Sequence, residues 1–382
     1  MPDEPILKVD GVSKHFKVGG RTLRAVERVS FDLGAGETLG IVGESGSGKS
    51  TLGRLVLRLL EADEGRVVFQ GEDLAKLASN ELRSRRRDMQ IIFQDPLASL
   101  NPRMTVGAAI EDAMVVQKIG RSASERRHRT EGLLERVGLQ PSAVDAYPFE
   151  LSGGQQQRVG IARALSLGPK LVVCDEPLSA LDVSVQVQII QLLQELQREL
   201  GITYLFISHN LGVVQLISDT VVVLYLGEVV EQAGADELFE RPQHPYTQAL
   251  MRSVLKVPEE LEKRAPLVAL AGEMPSPLSP PSGCPYHPRC PLAMDRCKEE
   301  KPLLRTVSEG HMAACHRAGE AVTMGSAPAV LVTPSDLSWP PRSARGSPWR
   351  ETTEVTGQDG REVRGTGRRG GQAVRRARVR PG

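Results

Sequence analysis

Short unbroken apolar runs alternate with longer amphipathic stretches along most of the chain, the pattern of buried strands joined by helices. The strand candidates are Thr38 to Val42, Met89-Gln90-Ile91-Ile92-Phe93, Lys170-Leu171-Val172-Val173-Cys174 and Ile202-Thr203-Tyr204-Leu205-Phe206-Ile207. A helix-like segment runs from Leu52 to Leu60, and Thr105 to Val137 reads as mostly helical, with Gly138 as its stop. Ser152 is placed to cap a helix that runs to about Leu167 and closes at Gly168-Pro169, and Val183 to Leu200 has Gln, Glu and Arg on its wet face. Ahead of these, Leu7-Lys8-Val9 and Val29-Ser30-Phe31-Asp32-Leu33 predict two short strands of an opening β-subdomain. Arg66-Val67-Val68-Phe69 predicts a hairpin between Gly65 and Gly71. The basic run Arg83, Arg85, Arg86 and Arg87 reads as a solvated helix face. The most apolar long region, 202–230, is interrupted by His209, Asn210 and Asp219 and is too mixed to span a bilayer.

Composition narrows this picture only a little. The 382 residues are 40% hydrophobic and 25% charged, ordinary values for a soluble globular protein with one large or two medium domains. A formal net charge of +1 gives no global field toward nucleic acid or membrane surfaces. The acidic start, Met1-Pro2-Asp3-Glu4-Pro5, lacks the apolar core of a secretory signal. With no such signal, the five cysteines suggest a reducing cytosol.

The chemistry gathers at strand ends. Gly43-Glu44-Ser45-Gly46-Ser47-Gly48-Lys49-Ser50-Thr51 fits the G-x-x-x-x-G-K-[ST] phosphate loop between a strand and a helix. Glycines let its N–H groups turn inward around phosphate oxygens, and the following helix points its positive end at the same anion. Lys49 is expected on the β/γ-phosphates and the Ser50 hydroxyl on Mg²⁺, so the chain binds a nucleoside triphosphate. Phe16, upstream, is either a platform for a purine base or a core aromatic. Gln94 ends one strand, where it is suited to ligate Mg²⁺ and position water. Asp175 and Glu176 end another, the first placed to hold Mg²⁺ and the second to orient or deprotonate the attacking water. His209 ends a fourth. Four separately read strands therefore deliver Gly43, Gln94, Asp175 and His209 to the carboxyl edge of one α/β sheet, where such sites form. Leu151-Ser152-Gly153-Gly154-Gln155 offers a second anion-facing helix start, which makes sense if it covers a nucleotide held by another subunit.

These segments, with Ser179-Ala180-Leu181-Asp182, resemble the Walker A, Q-loop, signature, Walker B, D-loop and switch-histidine set of ATP-binding-cassette (ABC) ATPases. The likeness covers roughly residues 6 to 320. Phe93-Gln94-Asp95-Pro96, Ser99-Leu100-Asn101-Pro102-Arg103 and His244-Pro245-Tyr246-Thr247-Gln248-Ala249-Leu250 are similar to the oligopeptide/dipeptide (peptide/nickel) importer ATPases, and the run Arg83 to Arg87 ahead of Gln94 is more like their F-type than their D-type subunit. Phe149 stands where that family usually has a histidine. The resemblance implies an α/β fold: a P-loop NTPase core, an antiparallel β-subdomain, an α-helical subdomain and a small Cys-containing C-terminal extension. It implies an ATPase domain over 6–255 with its helical part at about 95–165, and a C-terminal region over 256–320. It further implies an ATP- and Mg²⁺-dependent ATPase powering peptide import, with nickel or another solute as the alternative cargo and a soluble, non-transport cassette ATPase as the remote one. The implied partners are a second ABC ATPase subunit, two transmembrane permease subunits and, indirectly, an extracytoplasmic solute-binding protein, with no nucleic acid. The implied location is peripheral, on the cytoplasmic side of the membrane.

Cys284, Cys290, Cys297 and Cys315 crowd one proline-rich region that shows no core of its own, which suggests a metal staple. The C-x₅-C-x₆-C spacing lacks paired zinc knuckles. The resemblance adds a [4Fe-4S] cluster, and zinc or unmetallated thiols stay open. Cys174 reads as a packed strand residue. Residues 321–382, rich in Pro, Gly, Ser and Arg, are expected to form a disordered basic tail.

Overall fold

The computed structural model describes residues 4–95, 99–253 and 273–320. The expected tail and the start of the predicted C-terminal region lie outside the described residues. In chain order the strands are β1 Leu7–Val18, β2 Arg21–Leu33, β3 Thr38–Val42, β4 Glu64–Phe69, β5 Glu72–Asp73 and β6 Met89–Ile92. They continue with β7 Leu171–Asp175, β8 Thr203–Ile207, β9 Thr220–Tyr225, β10 Glu228–Gly234, β11 Arg305–Ser308 and β12 His311–Ala313.

They form two sheets. Four strands in the order β2-β1-β4-β5 make an antiparallel sheet, and eight in the order β11-β12-β10-β9-β3-β8-β7-β6 make a mixed one. Within the second, β9, β3, β8, β7 and β6 run parallel. Their apolar runs follow from burial on both faces: every residue of β3, β7 and β8 is buried. Because these strands run parallel, their carboxyl ends meet along one edge of the sheet. Cys174 is fully buried in β7, as its run suggests.

The opening strands are longer than the sequence suggests and absorb Lys14, His15 and Phe16. The β1–β2 ladder shifts register between Val9 and Val12, between Val12 and Lys14, and between Lys14 and His15, with Gly11 at φ 60°. Such bulges disguise the two-residue alternation on which strand reading depends. The loop helix covers Lys49–Val56, starting on the lysine itself and ending before Arg58 at φ 48°. The expected helical stretch 105–137 divides into Val106–Val116 and Ala123–Arg136, separated by Lys118 at φ 55° and Gly120 at φ 79°. Ser122 then caps the second helix by accepting the Glu125 N–H. The arginine run is only partly solvated: Arg85 pairs with Glu72 at 2.6 Å, and Arg86 donates to the Arg58 carbonyl.

The cysteine-bearing segment corrects one expectation, because it shares the main core. Cys284, Tyr286 and Cys297 belong to the same buried cluster as Tyr225 and Tyr246. The Tyr225 ring lies 4.6 Å from Tyr246 and 5.3 Å from Tyr286, both edge-on. Pairs of this kind contribute about 0.5–1.5 kcal/mol each beyond burial. Strand β12 pairs with β10, so residues 305–313 extend the large sheet. Fully buried Glu231 accepts the backbone N–H groups of Gln243 and His244 and meets His311 Nε2 at 2.8 Å, fixing that junction. No helix among the described residues is long and apolar enough to cross a membrane.

Candidate active site

Strand β3 delivers the phosphate loop, whose turn is closed by the Ser47 N–H donating to the Glu44 carbonyl at 3.1 Å. Gly48 has φ 100°, and a Cβ there would lie 2.2 Å from the Ala25 carbonyl oxygen, so both backbone angle and space require glycine. The Lys49 side chain is 4% exposed; its Nζ donates to the Gly43 and Glu44 carbonyls at 2.8 and 2.9 Å and sits 3.9 Å from Glu176 Oε1. Burial holds its pKa below the usual lysine value, against the opposing pull of Glu176, Asp175 and Glu44.

Ser50 Oγ donates to Asp175 Oδ1 at 2.7 Å, joining the start of the loop helix to the end of β7. Burial raises the Asp175 pKa above the usual carboxylate value, partly offset by this hydrogen bond. Glu176 follows in a left-handed backbone conformation, φ 48°, which costs an L-residue about 1–2 kcal/mol. Its N–H donates to the Ile207 carbonyl, and its own carbonyl accepts from Ser179 N and Oγ, so the main chain is held independently of the side chain. Glu176 Oε2 meets Gln94 Nε2 at 3.2 Å and His209 Nδ1 at 3.1 Å. The ends of β3, β6, β7 and β8 thus bring Lys49, Gln94, Asp175, Glu176 and His209 together, as the strand-end reading expects.

Two other expected elements lie apart from this cluster. Phe16 is half-buried on β1, opposite Leu23, with Lys14 Nζ 5.7 Å from its ring centre. It belongs to neither apolar core among the described residues. Ser152 and Gln155 form a reciprocal cap on the helix Gly153–Leu165, and Ser152 and Gly153 are exposed. That turn packs toward Leu181 and Val185. Among the described residues no hydrogen bond or ion pair joins it to residues 43–51.

The four cysteines Cys284, Cys290, Cys297 and Cys315 line one cavity of about 20 Å³ with His287 and His316. Burial pushes the Cys284 thiol up to about 12 and the Cys290 thiol up to about 11. The donor set suits a cluster or zinc, yet among the described residues no three such side chains are disposed to hold a metal ion. Two residues that sequence reading did not assign to the site touch its loop. Tyr246 Oη accepts the Glu44 N–H at 2.9 Å, and Arg289 pairs with the Glu44 carboxylate. A tyrosine and an arginine far along the chain carry no local signal for such contacts.

A glycine loop with a buried lysine after β3, and an acid pair at the end of β7 with β8 between them, define a phosphate-loop nucleoside triphosphatase. Residues 26–179 match the family described as ABC transporter, and residues 230–297 match the oligopeptide/dipeptide transporter, C-terminal region. The chain belongs to the ABC transporter family, with an ATPase domain followed by the C-terminal region of the oligopeptide/dipeptide transporters. A putative peptide import ATP-binding protein of Brucella ovis is 50% identical over 317 residues, covering 83% of this chain and 99% of the relative. The oligopeptide transport ATP-binding protein AppF of Bacillus subtilis is 49% identical over 323 residues, covering 82% and 97%. Among solved structures, a dimeric ATP-binding cassette in a post-hydrolysis state bound to ADP and Pi matches with a TM-score of 0.56 and 33% identity, over 60% of this chain and 98% of that one.

Proposed function

We propose that this chain is the ATP-hydrolysing subunit of a peptide importer, peripheral on the cytoplasmic side of a membrane permease. The convergence of Gln94 and His209 on one oxygen of Glu176, beside Lys49, carries the catalytic reading. In it, the loop N–H groups and Lys49 bind the β- and γ-phosphates, and Phe16 stacks on the base. The Ser50 hydroxyl and Asp175 carboxylate, 2.7 Å apart, are hard oxygen donors suited to Mg²⁺, with Gln94 as a third. When bound with ATP, Mg²⁺ supplies neutralisation of phosphate charge. Glu176 takes the proton of the attacking water, while Gln94 and His209 hold its carboxylate in place. The exposed turn of Ser152, Gly153, Gly154 and Gln155 closes over the nucleotide of a second ATPase subunit, in keeping with the dimeric cassette that the fold resembles.

Peptide as the cargo rests on the names of the relatives and on the matched C-terminal region. It is tested by uptake of labelled peptides into proteoliposomes holding the assembled complex. Nickel uptake in place of peptide uptake would sink that choice while leaving the ATPase reading intact. For the cysteine cavity, the finer reading is a thiolate-bound cluster or zinc, supported by four thiols on one cavity. Iron, zinc and acid-labile sulfide measured on the purified chain decide it, and absence of all three leaves packed thiols.

A further inference from the structure

We propose that Arg289 is a positioning residue for the ATP-binding loop, neutralising and holding Glu44 from the cysteine-lined segment. The proposal rests on residues 43–51 being the phosphate loop for ATP. Arg289 Nη1 donates to Glu44 Oε1 at 2.9 Å and Nη2 to Oε2 at 3.2 Å, a two-pronged pairing of guanidinium with carboxylate. The arginine side chain is 4% exposed and that of Glu44 24% exposed, so the pair is poorly screened by solvent. The guanidinium carbon also lies 6.0 and 5.9 Å from the ring centres of Tyr225 and Tyr286.

Glu44 is an awkward residue for its place. It puts a negative side chain one position into a loop built to receive anions. Left unpaired, that carboxylate would repel the incoming triphosphate and be free to pull the loop out of shape. Arg289 cancels the charge. Tyr246 holds the Glu44 N–H from a second side, and Lys49 Nζ holds the Glu44 carbonyl from a third. Every polar group of Glu44 is thereby fixed, two of them by residues beyond the ATPase match that ends at residue 179.

The location of Arg289 ties this contact to the cysteine cavity. It lies in the tight turn His287–Arg289, between the cavity-lining residues His287 and Cys290. That turn is set by the Cys284 N–H donating to the Cys297 carbonyl, His287 N–H to Cys284, Arg289 N–H to Tyr286 and Cys290 N–H to His287. A shift of the cysteine-bearing backbone therefore moves the arginine that steadies the loop. The C-terminal segment acts in this view as a strut on the nucleotide site.

The test uses the full-length chain, with a fluorescent ATP analogue for binding and phosphate release for turnover, both with Mg²⁺. Arg289→Gln is expected to weaken binding and raise KM for ATP about 5- to 100-fold, with kcat at saturating ATP falling less than about threefold. Arg289→Lys, which keeps the charge, weakens binding less than Arg289→Gln does. Adding Glu44→Gln to Arg289→Gln removes the stranded charge and restores affinity, and Glu44→Gln alone tightens binding a few-fold. Affinity of Arg289→Gln within twofold of the wild type, or a double variant no better than Arg289→Gln, would overturn the proposal. If Arg289→Gln fails to fold, a tenfold loss in Glu44→Gln alone overturns it equally. Failure of the wild type to bind the analogue, or equal binding by Lys49→Ala, would instead refute the ATP-site reading beneath it.

Discussion

Replacing Glu176 with glutamine separates chemistry from binding in this site. The substitution keeps size and shape, so the left-handed backbone at φ 48° carries the same strain before and after. The main chain keeps its bonds to Ile207 and Ser179, which do not involve the side chain. An amide oxygen still accepts from Gln94, so the melting temperature of the chain should change little. What disappears is the carboxylate that accepts a proton from water. General-base assistance contributes about 10²- to 10⁴-fold, or about 3–5 kcal/mol of barrier. Glu176→Gln should therefore lose that factor in kcat while binding ATP as well as or better than the wild type, since one negative charge near the phosphates is gone. Phosphate release at saturating ATP gives the first number, and a nucleotide-binding titration the second. Size-exclusion chromatography with ATP should show an accumulated dimer. A variant turning over within about threefold of the wild type would refute Glu176 as the base.

Other outcomes follow from particular contacts. Ser50→Ala removes the hydroxyl facing Asp175 and should raise the Mg²⁺ concentration for half-maximal turnover by roughly tenfold or more, read from phosphate release against added Mg²⁺. His209→Ala should cut turnover by roughly tenfold or more, yet leave the melting temperature nearly unchanged, because the side chain is 57% exposed. Glu231→Ala strands the Gln243 and His244 N–H groups and buried His311, and should cost about 3–5 kcal/mol in chemical denaturation. Burial opposes the charged form of His311, but Glu231 and Glu237 outweigh it and raise its pKa above the ordinary 6.5. This contribution to stability is full below about pH 6.5 and is lost as pH rises through the elevated folded value. His311→Gln should flatten that part of a melting-temperature profile against pH, and an unchanged profile would discount the pair.

How much of this was legible in the sequence depended on the range of the interaction. Four of the five parallel strands, β3, β6, β7 and β8, and their strand-end residues were readable because burial on both faces writes an unbroken apolar run, and a run has an end that can be counted; β9, inside the mixed apolar stretch 202–230, was not read as a strand. The meeting of Gln94, Glu176 and His209 then followed from topology. Local pattern failed where the backbone departs from regular geometry, as at the bulges of β1 and the break at Lys118. It failed most completely in the cysteine segment. There, proline, short turns and spaced thiols look like a separate appendage, while Tyr286, Cys284 and Cys297 are buried in the common core. The pairing of Arg289 with Glu44 joins residues 245 positions apart, and nothing in either neighbourhood points to the other. Yet Glu44 held half of the clue. An acid inside an anion-binding loop requires a cation nearby, because an unpaired carboxylate there opposes the ligand the loop is shaped to hold. Sequence chemistry can therefore demand a partner that sequence spacing cannot locate, and only the folded chain identifies it as Arg289.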